Sequence, residues 1–236
     1  MSLKKIAILQ SNYIPWKGYF NLINKVDEFI LYDEVQYTKR DWRNRNQIKT
    51  GNGLQWLSVP VEVKGKYNQR IDATKISDKS FALKHWNSIK HAYSKAPFFK
   101  EYSGIFEALY SDLDEELLSE VNHKFILAIN KLLGITTKVS WSTDYEALDP
   151  QHQEESANNR LIDLCLKSEA TIYLSGPAAK DYMDLDKFNG NGVQVEWMDY
   201  SHYQEYPQLN GEFTHYVTVL DLIFNQGVES SSHVRI

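Results

Sequence analysis

Two polar segments near the N-terminus carry side chains that could bind a small, charged molecule. The first, Gln10–Tyr19, supplies amide and ammonium donors, and its glycine allows a ligand to approach the backbone closely. A turn that only joins a strand to a helix needs fewer polar and aromatic residues, so this composition favours a binding function. We predict that the binding residues of this segment are Gln10, Asn12, Tyr13, Lys17 and Gly18.

The second segment, Asp33–Asn46, interleaves arginines with Tyr37 and Trp42. Arginine binds carboxylate and phosphate groups through a planar fork and also stacks on aromatic rings. The pattern is typical of a site for a phosphorylated or nucleotide-linked ligand, and a solvated loop with a few ion pairs is the alternative. The predicted binding residues are Gln36, Tyr37, Arg40, Arg43 and Arg45, and Asp33 is a candidate acid or base.

Two later segments add candidates of the same kinds. Tyr173–Tyr182 is again a strand-to-helix turn of small residues, and its predicted binding residues are Ser175, Gly176, Lys180 and Asp181. His202 follows a predicted strand and is a candidate general base. The alternatives are a turn chosen for its geometry and a structural histidine. No Walker A loop, dinucleotide-binding glycine motif or zinc-ligand spacing occurs, so the sequence predicts no metal site and identifies no cofactor.

These segments follow predicted strands, which gives a reason for distant residues to meet. Residues 6–9 and 28–32 are apolar runs typical of buried strands, and residues 18–26 between them have helical spacing. A helical crossover favours a parallel pair, and the carboxyl ends of parallel strands meet at one sheet edge. We therefore expect the first two polar segments to form one small-molecule site, with residues 175–182 as a third wall.

The remaining pattern predicts one α/β domain over residues 1–236, with a mostly parallel Rossmann-like sheet of four to five strands flanked by helices. Gly51-Asn52-Gly53 is a turn signal inside a predicted hairpin over residues 40–63. A helical insertion is predicted at about 78–134. The other predicted elements are helices at 80–94, 97–110, 113–133, 157–168, 180–188 and 217–224, and strands at 54–63, 136–141, 171–174 and 193–198.

The overall composition narrows the class of protein. A net charge of −5 disfavours general nucleic-acid binding, which depends on an excess of Lys and Arg. The single cysteine, Cys165, excludes an intrachain disulfide and fits a reducing compartment. The N-terminus has no signal-peptide pattern, and no run reaches the roughly 18 apolar residues of a membrane span. The sequence therefore predicts a cytoplasmic protein with a small-molecule partner, without a membrane span and without a nucleic-acid partner.

The same segments, in this order, resemble the WbqC-like protein family. The resemblance spans about residues 5–228, and it is carried by residues 10–20, 33–37, 43–46, 173–177, 180–182 and 219–225. The family often has proline where this chain has Ser11, a difference that would only change the stiffness of the loop. The resemblance implies a cytoplasmic bacterial protein of surface-polysaccharide (O-antigen) biosynthesis, with no settled reaction.

Three hypotheses for function follow. O-antigen precursors are nucleotide-linked sugars, so the first is a group transferase that acts on such a sugar, with Asp33 or His202 handling a proton. A weaker resemblance, to nucleotidyl transferases with a Rossmann-like sheet, implies an enzyme that activates an acid with ATP. The histidines of that group are absent from Pro15–Tyr19, although its glycine is present, which removes side chains that stabilise the developing phosphate charge. The third is a non-catalytic binding or scaffold protein of the same pathway.

Overall fold

The structure is a computed structural model that describes residues 3–145 and 157–236. The chain divides into two compact units. The first unit comprises Met1–Gln10, Leu22–Glu34 and Thr136–His202, and the second comprises Ser11–Asn21, Val35–Ile135 and Tyr203–Ile236. Helix α1 (Lys17–Asn24) contributes residues to both units.

A five-stranded sheet forms the centre of the first unit. Its strands are β1 (Lys5–Leu9), β2 (Glu28–Leu31), β5 (Lys138–Trp141), β6 (Ile172–Ser175) and β7 (Gln194–Trp197), in the spatial order β5-β2-β1-β6-β7. All four neighbouring pairs are parallel. Helices α5 (Ala157–Lys167) and α6 (Leu185–Gly190) lie in the same unit. The predicted α/β class, with a mostly parallel sheet flanked by helices, is confirmed.

The central strands of this sheet are buried, as parallel strands usually are. Every residue of β2 is buried, and so are residues 6–8 of β1. Glu28, at the start of β2, is ion-paired with Lys4 and Lys138, each at 2.8 Å. Burial alone raises the pKa of Glu28, but hydrogen bonds from these two ammonium groups and from two hydroxyls outweigh it and bring the pKa to about 2. Paired in this way, a carboxylate can occupy an otherwise apolar strand.

A hairpin and a group of helices form the second unit. The hairpin strands β3 (Arg45–Thr50) and β4 (Gly53–Ser58) pair antiparallel, as predicted. Gly53 has φ +100°, a conformation that glycine adopts without strain, and it completes the predicted turn. The helices are α2 (Phe81–Tyr93), α3 (Phe99–Ser111), α4 (Leu118–Leu132), α7 (Val219–Gln226) and α8 (Ser230–Val234). Among the residues that the structure describes, no helix is long and apolar enough to cross a bilayer.

Aromatic rings hold these helices together. The Phe224 ring of α7 lies 5.4 Å from Tyr93 of α2 and 5.0 Å from Phe99 of α3. Phe106, about two turns further along α3, lies 5.4 Å from the same ring. The Phe98 N–H donates to the Phe224 carbonyl at 3.0 Å, which attaches the start of α3 to α7. Large rings at helical spacing thus become the core of the second unit.

Two of the predicted boundaries are wrong, one because of tertiary contacts and the other because of a proline. The helix predicted from residue 113 begins at Leu118, since the backbone of residues 116–118 instead hydrogen-bonds to residues 74–76. The strand predicted to end at residue 63 ends at Ser58, two residues before Pro60, which has no N–H to donate. Apolar spacing alone does not reveal either interruption.

Candidate functional site

The first predicted segment forms a tight turn in the second unit, held by Asn46. The Asn46 amide nitrogen donates to the carbonyls of Tyr13 at 3.3 Å and of Ile14 at 2.9 Å. The Tyr13 N–H donates to the Trp42 carbonyl at 3.0 Å. Ile14 has φ +37°, which a β-branched residue rarely adopts, and such strain often lies at functional sites. One backbone hydrogen bond and two from the Asn46 side chain therefore join the two predicted segments directly.

A cavity of about 230 Å³ lies beside this turn, and we call it the indole cavity. Both predicted segments contribute to its walls, together with two residues from the C-terminal part of the chain. Its lining is mostly aromatic and apolar, with a few carboxamide and imidazole groups, a composition typical of small-molecule sites. The lining residues are Asn12, Pro15, Trp16, Trp42, Asn46, His215 and Tyr216.

Stacked aromatic and guanidinium groups extend one wall of the indole cavity. The Trp42 and Trp56 rings lie 5.6 Å apart and are tilted by 40°. The Arg45 guanidinium lies 4.1 Å from the centre of the Trp56 ring, within the range of a cation–π contact. Trp42 and Trp56 are 42% and 41% exposed, which is unusual for tryptophan. This wall offers planar surfaces to a ligand as well as positive charge.

Arg43 lies next to the polar end of the cavity. Its Nη1 donates to Asn12 Oδ1 at 3.3 Å and lies 3.6 Å from Asp41 Oδ1. The Asn122 amide donates to the Arg43 carbonyl at 2.9 Å, so α4 holds this part of the loop in place. The predicted binding residues Asn12 and Arg43 are therefore bonded to each other, and Asn12 lines the cavity.

His215 and Tyr216 line the cavity but are not among the residues predicted from the sequence. Burial, and then the charge of Lys17, lower the pKa of His215 below its ordinary value, so the imidazole is neutral at pH 7. The Phe213 ring lies 4.5 Å from it and holds it edge-on. In the orientation that satisfies both of its ends, the Gln47 amide donates to the Tyr216 carbonyl at 3.2 Å and accepts from the indole of Trp56 at 3.3 Å. Strand β3 thus positions the C-terminal side of the cavity.

Lys17, a predicted binding residue, is buried in the second unit. Its ammonium donates to the Gln204 carbonyl at 2.9 Å. The rings of Tyr203 and Tyr206 each lie 5.1 Å from the ammonium, and the ring of Phe213 lies 5.8 Å from it. Burial lowers the pKa of Lys17 to about 8. The aromatic rings compensate part of the lost hydration through cation–π attraction, and they attach the start of α1 to the C-terminal part of the chain.

Tyr13, another predicted binding residue, lies in the core of the second unit. Its hydroxyl is 2.9 Å from His85 Nδ1 and 2.7 Å from the Tyr110 hydroxyl. Burial, together with the charge of Lys84, lowers the pKa of His85 to about 4, although a hydrogen bond with the Ser58 backbone opposes this shift. This network connects the turn to α2 and α3 and makes the core sensitive to acid.

We predict that the free energy of unfolding falls by about 2–3 kcal/mol as the pH is lowered from 7 to 4, because of His85 alone. Its pKa is about 4 in the folded protein and near 6.5 when unfolded, so the unfolded chain binds more protons between these values. Urea unfolding at several pH values measures the slope, and His85→Gln should remove the His85 part of it. His91→Gln, an exposed histidine on the same helix, should keep it. An unchanged slope in His85→Gln would contradict the assignment.

Four other predicted binding residues of the second unit do not line the indole cavity. Gln36 and Tyr37 line a different cavity. Arg40 is exposed and has φ +59°, a left-handed conformation that is uncommon outside glycine and asparagine. Gly18 is buried, and the space beside its Cα is filled by the Trp16 indole. Their binding roles stay predictions.

The remaining predicted site residues lie in the first unit: Gln10, Asp33, Ser175, Gly176, Lys180, Asp181 and His202. Asp33 is buried directly after β2. The Lys180 ammonium lies 5.5 Å from the centre of the Trp197 ring. The His202 imidazole is exposed and pairs with Asp199 at 3.0 Å. A catalytic role for Asp33 or His202, and a binding role for the others, stay predictions.

Comparison with known proteins assigns the chain to the same family that its polar segments resemble. Residues 10–233 match the WbqC-like protein family. This chain belongs to that family. It is also similar to Uncharacterized protein Rv1507c of Mycobacterium tuberculosis strain H37Rv, with 46% identity over 233 residues that cover 99% of this chain and 98% of the relative. No solved structure matches the chain.

Every residue that lines the indole cavity falls within the part of this WbqC-like chain that matches the family. The match also includes the C-terminal loop that supplies His215 and Tyr216. The cavity is therefore built entirely from the segment that defines family membership.

Proposed function

We propose that this WbqC-like protein is a cytoplasmic transferase of bacterial surface-polysaccharide biosynthesis, and that it binds a nucleotide-linked sugar in the indole cavity. The observation that carries the proposal is that both polar segments line one cavity, with two indoles and two carboxamides in its walls. This combination of flat apolar surfaces and few directional polar groups suits a sugar or a base.

The aromatic walls suit the apolar face of a sugar ring or the flat face of a nucleobase. Stacking of a base on an aromatic side chain contributes about 1–3 kcal/mol, and it does not depend strongly on which base is bound. Asn12 supplies the directional contact, because its oxygen accepts from Arg43 and its nitrogen can donate to a ligand hydroxyl. The Asn46 amide instead bonds to the Tyr13–Ile14 turn and so shapes the wall.

Charge supports a ligand that carries phosphate. Arg43 is bonded to a residue of the cavity wall, and Arg45 is stacked on the adjoining Trp56. Guanidinium groups bind pyrophosphate oxygens through paired hydrogen bonds. The chain as a whole carries a net charge of −5, so positive charge here is a local feature and not a general one. His215, neutral at pH 7, is the cavity residue able to accept a proton from a ligand hydroxyl.

Family membership supports the proposed place of the protein in surface-polysaccharide biosynthesis. The resemblance of the chain to WbqC-like proteins implies a place among O-antigen genes, whose products use nucleotide-linked sugars as precursors. A cytoplasmic location follows from the same reasoning, because such precursors are made and consumed there.

The proposal predicts that at least one nucleotide-linked sugar raises the melting temperature of the protein. Trp42→Ala should weaken its binding at least tenfold, or about 1.4 kcal/mol, because a stacking surface is lost. Arg43→Ala should weaken it by a similar factor through the lost charge-assisted hydrogen bonds. Thermal-shift screening against uridine, guanosine and thymidine diphosphate sugars, followed by titration calorimetry, measures both effects.

Leu83→Ala is the matched control, since Leu83 is an exposed apolar residue on α2 outside the indole cavity. It should bind like the wild type. Absence of any thermal shift across the panel, with Arg43→Ala behaving like the wild type, would overturn the proposal.

The strand order favours a second candidate, an enzyme that activates an acid with ATP. Counting only the strands of the parallel sheet, the order β5-β2-β1-β6-β7 is 3-2-1-4-5, and it reverses between β1 and β6. In doubly wound sheets, nucleotides bind beyond the carboxyl ends of the two strands at this reversal. In this sheet the residues that directly follow those two strands are Gln10 and Gly176. Release of pyrophosphate from ATP with a panel of acids tests this candidate, and no release would count against it.

A further inference from the structure

A second cavity in the second unit lies between two loops and has a volume of about 270 Å³. We call it the lysine cleft. It shares no lining residue with the indole cavity, so we treat it as a separate candidate binding site. Its lining residues are Gln36, Tyr37, Thr38 and Lys39 from one loop and Val63, Lys66, Tyr67 and Gln69 from the other.

Hydrogen bonds between the two loops form the lysine cleft in advance of any ligand. The Tyr37 N–H donates to the Gln69 carbonyl at 2.9 Å, and the Gln36 amide donates to the Tyr67 carbonyl at 2.8 Å. The Gln69 amide nitrogen donates to the Glu62 carbonyl at 2.7 Å. A ligand therefore does not have to order these loops, which would otherwise reduce its affinity.

The two loops concentrate positive charge. Residues 36–40 and 63–70 contain Lys39, Arg40, Lys64, Lys66 and Arg70, next to the carboxylates of Asp41, Glu62 and Asp72, whereas the whole chain carries a net charge of −5. Lys66 pairs with Glu62, and Arg70 pairs with Asp72. The other three cations make no ion pair within the described residues 3–145 and 157–236. Of these three, Lys39 lines the cleft, and Arg40 and Lys64 are each next in the chain to a lining residue.

Neutral polar groups accompany this charge. Gln69 Oε1 is buried and accepts no hydrogen bond from any residue that the structure describes. Tyr67 is 80% exposed, so its ring is available to lie against a ligand. Carboxamides and an aromatic ring are the groups that usually bind sugar hydroxyls and ring faces.

We propose that the lysine cleft binds the phosphoryl group of a small phosphorylated molecule, with a sugar phosphate as the class that fits its polar groups best. The ammonium of Lys39 and that of Lys66 would contact the phosphate oxygens. The volume of the cleft suits a molecule of about a dozen non-hydrogen atoms. A general nucleic-acid surface would need positive charge over a longer path than these two loops offer.

The test uses the full chain and two probes, sodium pyrophosphate and a hexose 1-phosphate, with the free hexose as the uncharged reference. Amide chemical shifts should move at residues 36–39 and 63–69 with each phosphorylated probe and not with the free hexose. Lys39→Ala combined with Lys66→Ala should weaken binding at least tenfold. Added sodium chloride should weaken it as well, because exposed charges are screened.

Lys84→Ala combined with Lys100→Ala is the matched control, since both are exposed lysines on α2 and α3 outside the cleft. This control should bind both probes like the wild type, and so should Trp42→Ala. If nucleotide-linked sugars do not bind but the cleft amides respond to pyrophosphate, the proposed function fails and this inference stands. Absence of binding of both probes, amide shifts confined to other residues, or equal weakening in the control would overturn it. Tighter binding of an oligonucleotide than of either probe, lost in the same double variant, would also overturn it.

Discussion

Replacing Gly227 with alanine is expected to lower the free energy of unfolding by about 3 kcal/mol or more. Gly227 ends α7 with φ +55° and ψ −127°, a combination that is essentially restricted to glycine. A Cβ at this position would lie 2.4 Å from a carbon of the Phe98 ring. Backbone strain and overpacking each cost about 1–3 kcal/mol. Equilibrium urea unfolding, followed by tryptophan fluorescence, measures their sum.

Two further measurements test this explanation: a control substitution, and a background that separates backbone strain from overpacking. Gly104→Ala changes an exposed glycine inside α3 where a Cβ meets no atom within 4 Å, so it should be neutral or stabilising by up to about 1 kcal/mol. In a Phe98→Ala background the steric overlap disappears and the strain remains, so the cost of Gly227→Ala should fall by about half. A Gly227→Ala protein as stable as the wild type would contradict the prediction.

The parallel sheet of the first unit could be predicted because its signals are local. Apolar runs at β1, β2, β6 and β7 stand between polar turns, and the helical spacing of α1 implies a crossover between parallel strands. The helix predicted over residues 180–188 shows where local spacing fails. There the chain makes a short turn at Pro177–Asp181 and starts α6 only after Asp184, whose side chain accepts a hydrogen bond from the Lys187 N–H. A capping hydrogen bond decided the boundary, and apolar periodicity does not encode it.

The candidate site was predictable in outline for a different reason. The first two polar segments were expected to meet at a sheet edge; the structure joins them within the second unit, through the hydrogen bond from Tyr13 to Trp42 and through the Asn46 amide. Of the predicted binding residues, Asn12 lines the indole cavity itself, and Arg43 is bonded to it. The indoles of Trp16 and Trp42 belong to the same segments, but the predicted binding residues are their polar and charged neighbours.

His215 and Tyr216 could not be found from the sequence, because no local pattern marks them. They lie in a loop without regular spacing, far along the chain from Asn46. Their position depends on two contacts with β3: the Thr218 N–H donates to the Gln47 carbonyl at 2.9 Å, and the Gln47 side chain bonds to the Tyr216 carbonyl. Long-range pairing of this kind becomes visible only in the folded chain.

Replacing Gly18 with alanine is expected to weaken binding of a nucleotide-linked sugar at least a hundredfold, or about 2.7 kcal/mol, and to lower stability by about 1–3 kcal/mol. Gly18 is the second residue of α1, and a Cβ there would lie 2.3–2.7 Å from three carbons of the Trp16 indole. The indole lines the cavity and packs edge-on against Tyr203 at 5.6 Å. It is the part that must move, because the helix backbone is held by its own hydrogen bonds. Titration calorimetry gives the affinity, and near-ultraviolet circular dichroism reports the displaced indole.

A double-mutant cycle with Trp16→Ala decides whether the indole transmits this effect. With the indole removed, Gly18→Ala should cost nothing and should add up to about 1 kcal/mol of stability, since alanine favours a helix over glycine. The coupling free energy between the two substitutions should therefore reach about 2 kcal/mol, and the affinity of the double variant should equal that of Trp16→Ala alone. Equal losses of affinity from Gly18→Ala with and without the indole would instead support the sequence prediction, in which the small size of Gly18 makes room for the ligand itself.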